Sequence, residues 1–228
     1  MLSPAEAQIL STSFSVAVLA LLWSLPLAIA CAFLLARRQF TGKFLLDGLV
    51  HLPIILPPVL TGFLLLLLFG RNGPIGHWLE QVAGIHLVFT RQGAALATAV
   101  MIFPILVRAS RIAFEAMDPR LFDAAAVLRA GPLDRFFSIA LPLAGPGILA
   151  GAVTAFAAGM GEFGAVITFA ANIPGQTQTL PLAIYAVLQQ PGGEGEALRL
   201  AVMSFTLAMG GLIGAEFLER WMMRRLQG

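Results

Sequence analysis

Polar positions are sparse along this chain and fall in clusters, so the apolar stretches between them define its elements. A helix needs about 20 mostly apolar residues to cross roughly 30 Å of hydrocarbon. Five stretches meet that length: residues 7–36, 44–70, 92–112, 136–161 and 198–219. The first has no Lys or Arg before Arg37 and one acid, Glu6. Lacking a basic start, and too long in its apolar run, it does not read as a secretory signal. Pro26 is placed to kink it. Pro53, Pro57 and Pro58 are placed to bend the second span, because each proline removes a backbone donor.

Residues 163–193 are also free of charge, but they carry Pro174-Gly175, a polar run at 176–179, Pro181 and Pro191-Gly192-Gly193. Unpaired backbone at such turns is costly in lipid. The segment is therefore predicted as a helix extension, a loop and a short interfacial helix at about 181–190, not as a sixth span.

The basic residues agree. With five spans, Arg37, Arg38, Lys43, Arg108, Arg111, Arg120, Arg129, Arg135, Arg220, Arg224 and Arg225 fall on one side. Only Arg71, Arg91 and Arg199 fall on the other. An excess of Lys and Arg marks the cytoplasmic face, which places the N-terminus outside and the C-terminus inside. A sixth span would carry the Arg-rich tail outside. The expected fold is one all-α, polytopic membrane domain over 1–228.

Composition narrows the function. The 228 residues are 58% hydrophobic and only 11% charged, with a mean hydropathy of +0.87. Soluble domains carry about a quarter of charged residues, so this chain has too little polar surface to coat a water-soluble globule. The single cysteine, Cys31, cannot form a disulfide framework. A pI of 9.3 would point to nucleic acid if the bases formed a patch, but they are dispersed and the net charge is +2; topology explains them better.

Catalytic signatures are missing. Gly42-Lys43 is followed by Phe44 and does not make a phosphate loop, and neither a dinucleotide fingerprint nor a zinc helix motif occurs. His51, His77 and His86 lie in separate segments without ligand spacing. The chain is expected to have no active site of its own, no cofactor and no metal.

The most charged segment, 113–135, joins spans three and four. Asp118-Pro119 fits a helix start, Asp as cap and Pro at the first position. A short helix over 119–130 follows, with Gly131 as its left-handed terminator. Pro132 then starts a second helix that enters the membrane through Phe136 and Phe137. A short helix with alanines between charges suits docking into a groove on a cytoplasmic partner.

Asp123-Ala124-Ala125, then Gly131, then Ile139-Ala140-Leu141-Pro142 resembles the "EAA…G…I-x-L-P" loop of permease subunits in bacterial ABC importers. Aligned on Ile139, Leu141 and Pro142, the family's Glu falls on Asp123, its alanines on Ala124 and Ala125, and its glycine on Arg129. Gly131, two residues on, is placed to serve the same turn. His51–Gly62, Gly70–Gly76 and Gly161–Tyr185 extend the similarity to molybdate permease subunits over nearly the whole chain from about Leu25. The resemblance implies coupling helices that transmit ATP-driven closure, and a homodimer in the bacterial cytoplasmic (inner) membrane. It also implies two cytoplasmic ATPase subunits and a periplasmic molybdate-binding protein. Sulfate, thiosulfate or tungstate are alternative cargoes, and an ion-gradient-driven secondary transporter is a more distant alternative.

Spans one, two and four hold no basic residue at depth, and passage requires sites that release the ion. The path is expected to offer hydroxyls and backbone N–H groups, with Thr61, Thr154 and Thr168 as candidates. Each hydroxyl could instead bond back to its own helix. Pro57 and Pro58 mark a broken helix that either gates or only packs. Gly147, Gly151, Ala155 and Gly159 form a ridge of small residues for close packing, within the subunit or between subunits. Glu162 and Asn172 are candidates for docking the binding protein.

Overall fold

A computed structural model gives the fold of residues 3–227; side chains are described at all of these except 212, 215 and 218–227. The element order is α1 Pro4–Arg37, α2 Lys43–Ile55, α3 Pro58–Phe69, α4 Pro74–Ala83, α5 Arg91–Glu115, α6 Arg120–Val127 and α7 Pro132–Arg135. A π turn at Phe136–Ala140 follows, then α8 Leu141–Met160, α9 Gly164–Ala170, α10 Leu180–Leu188 and α11 Glu194–Gln227. No strand occurs among the described residues.

α1 begins on a capping box. The Ser3 hydroxyl accepts from the Glu6 N–H at 3.2 Å, and the Glu6 carboxylate accepts from the Ser3 N–H at 2.7 Å. The Arg199 guanidinium on α11 then pairs with Glu6 at 2.9 Å, so the first and last helices meet at this end. α1 runs unbroken through Pro26.

The second apolar stretch is not one rod. Pro57 forbids helical backbone at Leu56, which turns extended at φ −73°, ψ 146°. α2 and α3 consequently meet at 115°. Three helices, Pro4–Arg37, Arg91–Glu115 and Pro132–Met160, are long and apolar enough to cross a membrane, and the bent pair makes a fourth if taken together. The expected fifth span lies on α11, where Arg220, Arg224 and Arg225 fall outside the described side chains.

The predicted entry into span four at 136 begins earlier. A 29-residue helix starts at Pro132 and widens into the π turn, where the Leu141 N–H reaches back to the Phe136 carbonyl. Pro142 removes the next donor, so the ladder cannot keep its ordinary step there.

α5 is the central helix, packed between α1 and α8. Small residues permit this: Ala20, Ala28 and Ala32 of α1 and Ala94, Ala95, Ala97 and Ala99 of α5 are buried. The glycine ridge of α8 packs inside the subunit against α5. A Cβ on Gly147 would lie 2.7 Å from the Ala113 Cβ, and one on Gly151 would collide with Ala109. Near the C-terminal end of α1, Phe33 meets Phe114 and Phe136 edge-on at 5.3 and 4.9 Å.

Two short elements depart from expectation. α4, which hydropathy passes over because it carries His77, Glu80 and Gln81, starts at Pro74 and ends at left-handed Gly84. The 163–193 segment is two helices and a loop, but α9 is set off from α8 by Gly161–Phe163 and does not extend it. α10 packs inward, with Leu180, Leu182 and Ala183 fully buried. The loop between them satisfies its backbone through side chains, as buried backbone requires. The Thr177 hydroxyl donates to the Ala171 carbonyl at 2.9 Å and accepts from the Ile173 N–H at 3.0 Å. Ser13 of α1 accepts from the Leu180 N–H at 2.7 Å.

Candidate functional site

Two places gather the residues singled out by sequence: the elbow between α5 and α8, and the crossing of α3 with α9.

At the elbow the helix starts one residue later than expected, at Arg120 with Pro119 as its N-cap, and the Asp118 carboxylate still accepts from the Arg120 N–H at 2.9 Å. α6 is shorter than predicted and stops at Val127. The Ala130 N–H then bonds the Ala125 carbonyl at 3.0 Å, a closure that needs a left-handed residue. That residue is Arg129, at φ 61°. Gly131 is not the left-handed terminator: it sits at φ −67°, ψ 164° and leads into α7. The turn therefore falls where the importer loop has its glycine, and here an arginine adopts it.

The outward face of α6 differs from the alanine patch. Ala125 points inward, 8% exposed, whereas Val127 and Leu128 are 83% and 82% exposed. Asp123 and Ala124 are exposed beside them. Val127 and Leu128 are functional candidates that the motif does not mark; their signal was only an apolar pair following the alanines. Beneath them the Arg37 guanidinium lies 4.3 Å from the Phe122 ring centroid and donates to the Met117 carbonyl at 3.4 Å. The end of α1 thus holds the elbow from below. Ile139 sits in the π turn, with Leu141 and Pro142 opening α8.

At the second place two short helices cross at backbone distance. A Cβ on Gly62 would lie 2.7 Å from the Ala165 carbonyl oxygen and 2.8 Å from the Thr168 Cβ. Pro57 and Pro58 form the exposed corner from which α3 departs. The Glu162 carboxylate, one residue before the N-cap Phe163, accepts from the Ala165 N–H in the first turn of α9 at 3.0 Å. Asn172 donates to the Leu182 carbonyl at 3.3 Å while its amide oxygen is buried without a partner.

The three hydroxyl candidates separate. Thr154 and Thr168 donate to the carbonyls of Ala150 and Gly164, each at 2.9 Å on its own helix. Thr61 is buried and its hydroxyl has no partner among the described residues. Thr154 stands apart from the crossing, in a cleft of about 520 Å³ shared with His51, Arg108 and Gly151. Among the described residues, no three His, Cys, Asp or Glu side chains converge on a metal position.

Long apolar helices packed on α5, with a proline-broken pair at their side and a short charged helix hung between two of them, are the architecture of the membrane subunit of a transport system. The family model described as binding-protein-dependent transport system inner membrane component matches residues 24–190, and the chain belongs to that family. It is 51% identical over 219 residues to the molybdenum transport system permease protein ModB of Escherichia coli K12, covering 96% of each chain. The corresponding protein of Haemophilus influenzae is 48% identical over 221 residues, 97% of this chain and 96% of that one. In fold it resembles a chain of a bacterial alginate ABC transporter crystallised with an alginate-bound periplasmic protein. That likeness has a TM-score of 0.77 at 16% identity, covering 96% of this chain and 79% of that one.

Proposed function

We propose that this chain is the permease subunit of a bacterial ABC importer that carries molybdate across the cytoplasmic membrane. The observation that carries the reading is near-full-length identity of about half the residues to molybdenum permeases. The subunit works as a homodimer with two cytoplasmic ATPase subunits and a periplasmic molybdate-binding protein. It is a single domain of five spans with the N-terminus outside, supported by the distribution of basic residues.

The elbow couples ATP hydrolysis to the spans. Asp123, Ala124 and the exposed pair Val127 and Leu128 present the docking face. Ala125, Arg129 and Gly131 shape the helix and its turn, and Ile139, Leu141 and Pro142 join it to α8. The path runs past the α3–α9 crossing, where Pro57 and Pro58 set the corner, Thr61 keeps a buried, unpartnered hydroxyl that parting of the two helices would present to the anion, and Thr168 backs it. Thr154 lines a separate part of the path. Glu162 and Asn172 hold the α9 region that faces the binding protein.

The test is reconstitution with the ATPase and the binding protein, following labelled molybdate with and without excess sulfate. Molybdate accumulates in an ATP-dependent way and sulfate leaves it largely undiminished. Equal displacement by sulfate would overturn the cargo; accumulation by the chain alone would overturn the importer mechanism.

A further inference from the structure

A cleft of about 400 Å³ lies between the end of α1 and the elbow, lined by Arg37, Arg38, Phe122, Asp123 and Arg135. Three guanidinium groups face one carboxylate, an excess of two positive charges. Among the described residues, no ion pair joins Asp123 to any of the three arginines. The Nε atoms of Arg37 and Arg135 are buried and lack any hydrogen-bond partner. Buried donors are almost always paired, and one left unsatisfied is a standing penalty. Arg37 is also fixed in place by the Phe122 ring and the Met117 carbonyl, so its remaining donors are preorganised. Arginine forks match the oxygens of a phosphate group.

We propose that this cleft binds the phosphate headgroup of an anionic phospholipid. The cleft's floor is the last turn of a long apolar helix, with Phe33 on its wall and exposed Leu133 and Phe137 flanking the elbow. A phosphate seated there leaves its acyl chains beside apolar surface, and basic pockets at the cytoplasmic ends of spans are suited to such headgroups. The site rests on the inward orientation of the elbow proposed above. A bound lipid bridges α1 to α7 and steadies the elbow beside its docking face, with Asp123 at the border of the two.

The full-length chain in neutral detergent provides the test, since detergent is blind to sidedness and to transport. Dioctanoyl-phosphatidylglycerol, dioctanoyl-phosphatidylcholine and inorganic phosphate are added separately, with thermal unfolding and native mass spectrometry as readouts. At concentrations near tenfold above its dissociation constant, phosphatidylglycerol raises the midpoint by about 3–5 °C and is retained, while phosphatidylcholine does neither. Arg135→Gln removes both effects. Arg38→Gln, at an exposed position that perturbs folding least, weakens retention, whereas Arg71→Gln at the far end of the molecule changes nothing. Four outcomes overturn the proposal. They are equal effects of the two lipids, an unchanged response in both Arg135→Gln and Arg38→Gln, equal loss in Arg71→Gln, and full stabilisation by inorganic phosphate alone. The last would make the site one for free anions. Any of them leaves the importer reading standing.

Discussion

Gly164 stands so close to Pro58 that a Cβ on the glycine would lie 2.6 Å from the proline Cβ, closer than real side chains approach. Together with Gly62 against Ala165, this locks α9 across the start of α3. Gly164→Ala is expected to destabilise the chain by about 1–3 kcal/mol, the usual range for an overpacked core. Gly161→Ala is the control, because its nearest neighbour lies at 3.6 Å. Thermal unfolding in detergent decides; equal midpoints for the two variants would refute the close crossing.

Arg129 holds a left-handed backbone that favours glycine. Arg129→Gly is expected to relieve about 1 kcal/mol of strain and to slow proteolysis of the elbow. Arg129→Val, β-branched at the same φ, should accelerate it. Limited proteolysis of the three proteins side by side makes the comparison.

The α6 face separates docking from folding. Val127→Glu and Leu128→Glu alter side chains that are more than four-fifths exposed, so the chain should fold normally and lose ATPase association. Ala125→Leu should instead lower stability, because its side chain points into the subunit. Co-purification with the ATPase, read beside the unfolding midpoint, tests both halves; a destabilised Val127→Glu would argue against the outward face.

Ser13 lies on α1 and takes the N–H of Leu180, 167 residues away. Ser13→Ala leaves that buried donor unpaired at a cost of about 1–3 kcal/mol. Hydrogen exchange at the Leu180 amide should rise in the variant. Unchanged protection would mean the bond does not hold α10.

Thr61→Val removes a hydroxyl that satisfies nothing within the chain. Stability should hold or rise slightly, while molybdate transport falls. Thr154→Val, whose hydroxyl already serves Ala150, should transport nearly normally. Uptake assays on matched amounts of folded protein distinguish them, and equal transport by both variants removes Thr61 from the path.

What the sequence made legible was local. Pro57-Pro58 announced the broken span because a proline dictates the backbone before it. Asp118-Pro119 announced α6, to within one residue of its start, because the Asp118 carboxylate bonds a backbone N–H only two residues on. The failures were settled at a distance or by small shifts in register. α6 ends three residues before the predicted limit, which moved the left-handed position from Gly131 to Arg129. Ala125 looked like docking surface because alanines permit either face; only packing against the rest of the elbow turned it inward. α10 was legible as a helix but not as buried, since its partners are on α1 and α11. The free hydroxyl of Thr61 could not be told from those of Thr154 and Thr168, because all three occupy helices with an acceptor within reach.

The helix from Pro132 to Met160 gives the molecule a mechanical element. Spanning about 43 Å at 1.5 Å per residue, it bears on α5 where Gly147 and Gly151 meet Ala113 and Ala109. Gly159 adds a third close approach, to Thr98 and Ile102 of the same helix, so the two rods are seated together over about 18 Å from Gly147 to Gly159. A pull on Pro132 would therefore move α8 and α5 as one body, and carry the displacement to the Glu162 end of the span.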